Sequence, residues 1–331
     1  MDESNGDEGG RGASASGTCL TIQVGKTALL RGRNVERAWG FGRIYFKFEG
    51  GNPTGSQKDR AAFELVRKAA HEGYTAITLA TCGNFGVAAA HAARHSSLRT
   101  LIFLPERYHA RRVTEMAELG AEVIRVDGDY ETAVAQSREA ANRNGLFDAN
   151  PGGEHGHVSV EAYGAVAHEI VEVLGDAPCS VAVPVSNGTT LAGIFTGFRR
   201  LHEEGKVSRV PRMIAASSYR KNPIVKSFRE GTVSCLDLQP AEIHETTVNE
   251  PLINWHSFDG DLALRSLRAS RGGAEYASDQ DMLQCARLLL HTEGLSVLPA
   301  STSALIALAK VWSGNGLSED DHVVVLTGRR Y

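Results

Sequence analysis

Along the chain, short apolar runs alternate with stretches of helical period, starting near Leu20. Ile44–Phe48 reads as a strand and Ala61–Ala70 as a helix. The next units are a strand at Thr75–Ala80, a small-residue helix over Asn84–His95 and a strand at Thr100–Leu104. They are followed by a helix over Arg111–Leu119 closed by Gly120, a strand at Glu122–Val126, and a helix over Tyr130–Asn142 closed by Asn144-Gly145. A second set runs through helix Val160–Leu174, strand Ser180–Val185, helix Thr190–His202 and strand Arg212–Ala216. It ends with helices Asp279–His291 and Ser301–Val311 and strand His322–Leu326. Between 222 and 278 the pattern is weakly periodic and rich in turns. Buried strands separated by helices predict parallel, helix-covered sheets in two α/β lobes joined near residue 150.

Composition narrows the function classes. The chain has 331 residues and 42% hydrophobic content, enough for two domains with cores of their own. Residues 1–18 are polar and Gly/Ser-rich, and are expected to form a disordered tail. A net charge of −4 offers no broad basic surface for nucleic acid. No apolar run approaches a bilayer span and the first residues lack a signal pattern, so a cytoplasmic protein without a membrane partner is expected. Five widely spaced cysteines, at 19, 82, 179, 235 and 285, contain no C-x-x-C pair and read as reduced thiols. His155-Gly-His157 is the nearest histidine cluster. It reads as a solvated loop, and no metal is expected.

In parallel sheets ligands gather at the carboxyl ends of strands, which directs attention to four exits. The first, Glu49-Gly-Gly-Asn-Pro-Thr-Gly-Ser-Gln-Lys-Asp-Arg60, puts Lys58 at the second position of a helix capped by Ser56, with Asp59 completing a short capping box. A helix N-terminus disfavours a cation, so the dipole should ease loss of the lysine's proton and make it a nucleophile toward an aldehyde and a base for a carbon acid. A surface lysine paired with Asp59 or Glu49 is the ordinary alternative. The second exit, Thr81-Cys-Gly-Asn-Phe-Gly86, can bind a carboxylate through its N–H groups or be a plain capped turn. The third, Ser186-Asn-Gly-Thr-Thr190, is a neutral phosphate cradle or a tight turn. It is neither a Walker A loop nor a full G-x-G-x-x-G fingerprint. The fourth is Leu326-Thr-Gly328, where the Thr327 hydroxyl can reach a ring nitrogen. An amine for an aldehyde, a phosphate cup, an amide for a phenolic oxygen and a hydroxyl for a pyridine nitrogen are together what pyridoxal 5'-phosphate requires.

The sequence resembles the fold-type II pyridoxal-phosphate enzymes, the group that includes threonine synthase, cysteine synthase and threonine dehydratase, over about Thr21 to Gly328. Within that group the sequence resembles the threonine synthases. Asn52-Pro-Thr-Gly-Ser-Gln-Lys-Asp-Arg60 matches the family's cofactor-lysine motif except at Gln57, which is usually apolar. The resemblance implies an α/β fold of two lobes, each a mostly parallel twisted sheet covered by helices. The N-terminal lobe (19–150) would carry Lys58, and the C-terminal lobe (151–331) the phosphate loop, with the lobes exchanging terminal segments. It implies that Lys58 bears the Schiff base, that Asn84 faces the cofactor O3', that Ser186, Asn187, Gly188, Thr189 and Thr190 hold the phosphate, and that Thr327 meets the pyridine nitrogen. Thr81, Cys82, Gly83, Asn84 and Phe85 would receive the substrate carboxylate, and Arg112 would bind an anionic leaving group or be an ordinary solvated charge on a helix surface.

The implied activity is elimination or replacement at Cγ or Cβ of a small, phosphorylated or acylated amino acid by a homodimer, in the manner of threonine synthase. Cysteine synthase-like β-replacement and serine/threonine dehydration are the alternatives, followed by a non-catalytic cofactor binder. Departures at Cys82, Phe85, Tyr163-Gly164 and Leu298 argue against O-phosphohomoserine as the substrate, and those at Gln57, Cys82, Phe85 and Leu298 keep the non-catalytic binder open.

Overall fold

The computed structural model describes residues 22–40, 42–81, 83–106, 112–312 and 320–330; the tail at 1–18 and Cys82 lie outside them. The first part of the chain forms β1 (Leu29–Arg31), α1 (Arg33–Trp39), β2 (Arg43–Phe48) and α2 (Lys58–His71). It continues through β3 (Ala76–Ala80), α3 (Asn84–Ala93), β4 (Arg99–Pro105), α4 (Val113–Glu118), β5 (Glu122–Val126), α5 (Tyr130–Asn144) and β6 (Phe147–Asp148). Then come α6 (Gly156–Leu174), β7 (Ser180–Pro184), α7 (Thr189–Glu203), β8 (Arg212–Ser218) and α8 (Pro223–Glu230). The chain ends with α9 (Gly260–Ala269), β9 (Gly273–Ala277), α10 (Asp279–Glu293), α11 (Ser303–Trp312) and β10 (Asp321–Leu326).

The strands form a six-stranded sheet in the order β1-β2-β10-β7-β8-β9 and a four-stranded sheet in the order β5-β4-β3-β6. Every pairing is parallel except the edge pair β1–β2. The apolar runs Val181–Val183 and Val323–Leu326 are wholly buried, as central parallel strands covered on both faces must be. One face of the large sheet packs a core that includes Ile194, Phe198 and Leu264, and the other packs one that includes Met282, Leu305 and Leu308. Residues of α6 and α7 meet through glycines: a Cβ on Gly197 would lie 2.4 Å from the Gly164 carbonyl oxygen. That separation is below van der Waals contact, so the two helices approach as closely as backbone allows.

The stretch 222–278, unreadable by period, holds α8, α9 and β9. Asn222 caps α8 by accepting from the N–H groups of Ile224 and Val225, and Pro223 opens that helix. The His155-Gly-His157 segment is not a solvated loop throughout. His155 is buried and stacks on Phe147 at 3.9 Å and 7°, while His157 is exposed. Among the described residues no group of three His, Cys, Asp or Glu side chains is placed to hold a metal, and no helix is long and apolar enough to cross a membrane.

Strand order is what assembles the site. Strands β2, β10 and β7 are neighbours, so the exits carrying Lys58, Thr327 and Ser186 emerge side by side. The exit at Thr81 comes from β3 in the other sheet.

Candidate active site

All four exits line one cavity of about 370 Å³. Lys58 is the first residue of α2, one place earlier than expected, and Gln57 (φ −55°, ψ −21°) rather than Ser56 occupies the cap position. The Ser56 hydroxyl accepts from the Lys58 N–H at 3.3 Å. Asp59 accepts from the Thr54 N–H at 2.9 Å and the Thr54 hydroxyl at 2.8 Å. Burial pushes the Asp59 pKa up to about 6, against the opposing effects of the Thr54 donors, the Arg112 charge and the Ser56 N–H. Lys58 Nζ lies 5.7 Å from the centroid of the Phe85 ring, within cation–π range.

At the second exit Thr81 is buried, its hydroxyl accepting from the Gly83 N–H at 3.1 Å. Asn84 is the first residue of α3 and Gly83 occupies the cap position, without a side chain to offer. Thr81, Gly83, Asn84 and Phe85 all face the cavity. Arg112 reaches it from the turn before α4. It donates to Asn84 Oδ1 at 3.0 Å, to the Thr54 carbonyl at 3.2 Å, and through Nε and Nη2 to the Glu115 carboxylate at 2.7 Å each.

The third exit brings Ser186, Asn187, Gly188, Thr189 and Thr190 to the cavity at the start of α7, a helix with no side-chain cap. Gly188 has φ +93°, and a Cβ there would stand 2.7 Å from the Ala263 Cβ, so only glycine fits. Asn187 is fastened from behind: its Nδ2 donates to the Tyr130 hydroxyl at 3.1 Å, and its Oδ1 accepts from Asn254 Nδ2 at 3.2 Å. The Ser186 carbonyl accepts from Asn222 Nδ2 at 3.0 Å and the Ser257 hydroxyl at 3.1 Å. The Thr189 hydroxyl donates to Asp259 at 2.5 Å, and burial raises the Asp259 pKa despite that bond. At the fourth exit the hydroxyls of Thr327 and Ser301 are 2.9 Å apart.

Tyr163, marked in the sequence only as part of a departure from the family's pattern, is buried in α6 and lines the cavity, and burial raises its hydroxyl pKa. Other lining residues carry no local signal in the sequence. Glu250 and its neighbours arrive from the unreadable stretch, and Arg330 from the chain end. Gln57 was visible only as a polar residue at an unusual place. It is 8% exposed, and its buried Oε1 has no hydrogen-bond partner among the described residues.

A threonine synthase of Synechocystis sp. is 29% identical over 330 residues, covering 94% of this chain and 81% of its own. A threonine synthase of Methanocaldococcus jannaschii is 28% identical, covering 93% of this chain and 75% of its own. The structure of maize serine racemase superposes with a TM-score of 0.77 at 18% identity, covering 92% of this chain and 88% of that one. Residues 20–328 match the family described as pyridoxal-phosphate dependent enzyme, and the chain belongs to that family.

Proposed function

We propose that the chain eliminates or replaces a leaving group at Cγ or Cβ of a small amino acid, as a pyridoxal-phosphate dependent lyase or synthase of threonine synthase type. The observation that carries this reading is the convergence of one lysine and three helix N-termini, those of α2, α3 and α7, on a single cavity. Helix N-termini present N–H donors and partial positive charge to anionic groups. The cofactor suits these residues: Gly188, at φ +93° and packed from behind by Ala263, brings the backbone of the 186–190 turn to the cavity without a side chain, and the Gln57 Oε1, which has no hydrogen-bond partner among the described residues, belongs to a residue lining the same cavity.

In this reading Lys58 would hold the aldehyde carbon, residues 186–190 the phosphate, Asn84 the ring oxygen and Thr327 the ring nitrogen. When bound, pyridoxal phosphate draws electron density away from the substrate Cα. Lys58 Nζ takes the α-proton and returns it where the product requires. Thr81, Gly83, Asn84 and Phe85, together with Cys82, bind the substrate carboxylate at the start of α3. A hydroxyl at Thr327, unlike a carboxylate, does not fix a proton on the ring nitrogen, which favours elimination and replacement. Lobes divided near residue 150, with the N-terminal strands in the large sheet, close over the substrate and exclude water.

A second reading, β-replacement or dehydration of a three- or four-carbon substrate, is favoured by Phe85, whose ring stands within cation–π range of Lys58 and narrows the space beside it. Spectral titration of the holoenzyme with phosphohomoserine, phosphoserine, acetylserine, homoserine and threonine separates the two. A change with phosphohomoserine and release of threonine supports γ-chemistry. A change confined to phosphoserine, acetylserine or threonine supports the second reading, and silence with all five defeats both. The enzyme is further expected to be a cytoplasmic homodimer. Sizing in solution tests the dimer, with a monomer mass as the contrary result, and fractionation of the source cells tests the location.

A further inference from the structure

We propose that Arg112 is a positioning residue. It turns the Asn84 carboxamide so that Nδ2 faces the cavity, and its charge strengthens that N–H as a donor to the cofactor's ring oxygen. The inference rests on the reading that Asn84 meets the ring oxygen.

Chemistry fixes the orientation of the amide. A guanidinium has only donors, so the amide atom 3.0 Å from Arg112 Nη1 must be the oxygen, whichever way an amide is drawn. Nδ2 then points away from Arg112, and among the described residues it donates to none, while Asn84 lines the cavity.

The guanidinium is itself held in place. Glu115 grips it through Nε and Nη2 at 2.7 Å each, and the Thr54 carbonyl accepts from Nη2 at 3.2 Å. Thr54 is bound in turn to Asp59, the neighbour of Lys58. One chain of hydrogen bonds therefore sets the Asn84 amide and the start of the lysine's helix on the same frame. Arg112 is 9% exposed, so its charge is screened little by water. A cation bound at Oδ1 draws electron density from the amide and makes Nδ2–H a stronger donor, which favours a ring oxygen in its anionic form. With four hydrogen bonds already made to Glu115, Asn84 and Thr54, the guanidinium is better arranged to serve Asn84 than to catch a leaving group.

The test reads the absorption of the bound cofactor without substrate. The balance of interest is between the long-wavelength band of the anionic ring oxygen and the shorter-wavelength band of the neutral one. R112Q is expected to shift it about tenfold toward the neutral form, and R112K, which keeps the charge, by less. N84A should shift it at least as far as R112Q, and adding R112Q to N84A should change nothing more, because the arginine acts through the amide. Titration of each apoprotein with pyridoxal phosphate should show weaker binding in the same order. If N84A shifts the balance and R112Q does not, the role of Arg112 falls and the reading of Asn84 stands; if N84A leaves the balance unmoved, that reading falls too. A spectrum unchanged in R112Q but with KM raised only for substrates with anionic leaving groups would make Arg112 a substrate ligand instead. Should R112Q fail to fold, R112M, which also removes the charge, decides in its place, and no shift in it overturns the proposal.

Discussion

Lys58→Ala is expected to lose turnover by about 10²–10⁴-fold or more while the fold becomes no weaker. Lys58 begins α2, where the helix dipole opposes a cation, so removing the charge and installing the best helix former should leave stability unchanged or raise it by about 0.3–1 kcal/mol. A residue that costs stability where it stands and lines the cavity is one retained for chemistry. Three measurements check this. Turnover should fall on any substrate that the titrations identify, borohydride should no longer fix the cofactor to the chain, and the urea midpoint should stay level or rise. Full turnover in the alanine variant, with cofactor still fixed by borohydride, would assign the amine elsewhere.

What the sequence makes legible here is local. The strand ends at Phe48, Ala80, Pro184 and Leu326 are bounded by turns whose residues are small or polar, and a periodic reading finds them. That these ends converge follows from strand order, which places β10 between β2 and β7, and the sequence carries no local mark of that order. The support of the phosphate loop is equally hidden. Asn222 lies 36 residues from Ser186, and Ser257 lies 71 residues away. Both sit in a stretch where short elements are separated by long irregular connections, so each offers few residues to a periodic reading. The same holds for Arg112, which reads as a helix-surface charge until the fold brings it to Asn84, 28 residues earlier. Gln57 is the reverse case. A motif comparison exposes it as an anomaly, and only its burial beside Lys58 gives the anomaly a place in the site.

The largest loss of stability is expected at Arg60, two residues beyond the lysine. Its guanidinium binds Glu49 in a fork, at 2.7 and 2.8 Å, and Glu169 at 2.7 and 2.8 Å. Lys47, wholly buried on β2, donates to Glu169 at 2.6 Å and to the Thr27 carbonyl at 2.5 Å. Two cations and two carboxylates thus balance where β2, α2 and α6 meet, with Thr27 and Asn52 donating to Glu49 at 2.7 and 2.9 Å. Burial alone would lower the Arg60 pKa, and the carboxylates more than reverse it. Burial alone would raise the Glu169 pKa, yet Arg60 and Lys47 hold it down to about 2. Arg60→Met leaves Glu49, with no exposed side-chain surface, facing no arginine, and should cost about 3–5 kcal/mol in urea unfolding. Adding Glu49→Gln should restore part of that loss, because the penalty lies in the stranded charge rather than in the missing contact. The pH dependence has a definite sign. Glu169 has a folded pKa below its ordinary 4.5, so its contribution is present above that value and disappears as the pH falls through 4.5 toward 2. Glu169→Gln should flatten the stability profile across that window. A cost below about 1 kcal/mol for Arg60→Met would mean that apolar packing, rather than this charge cluster, holds the lysine's helix against the large sheet.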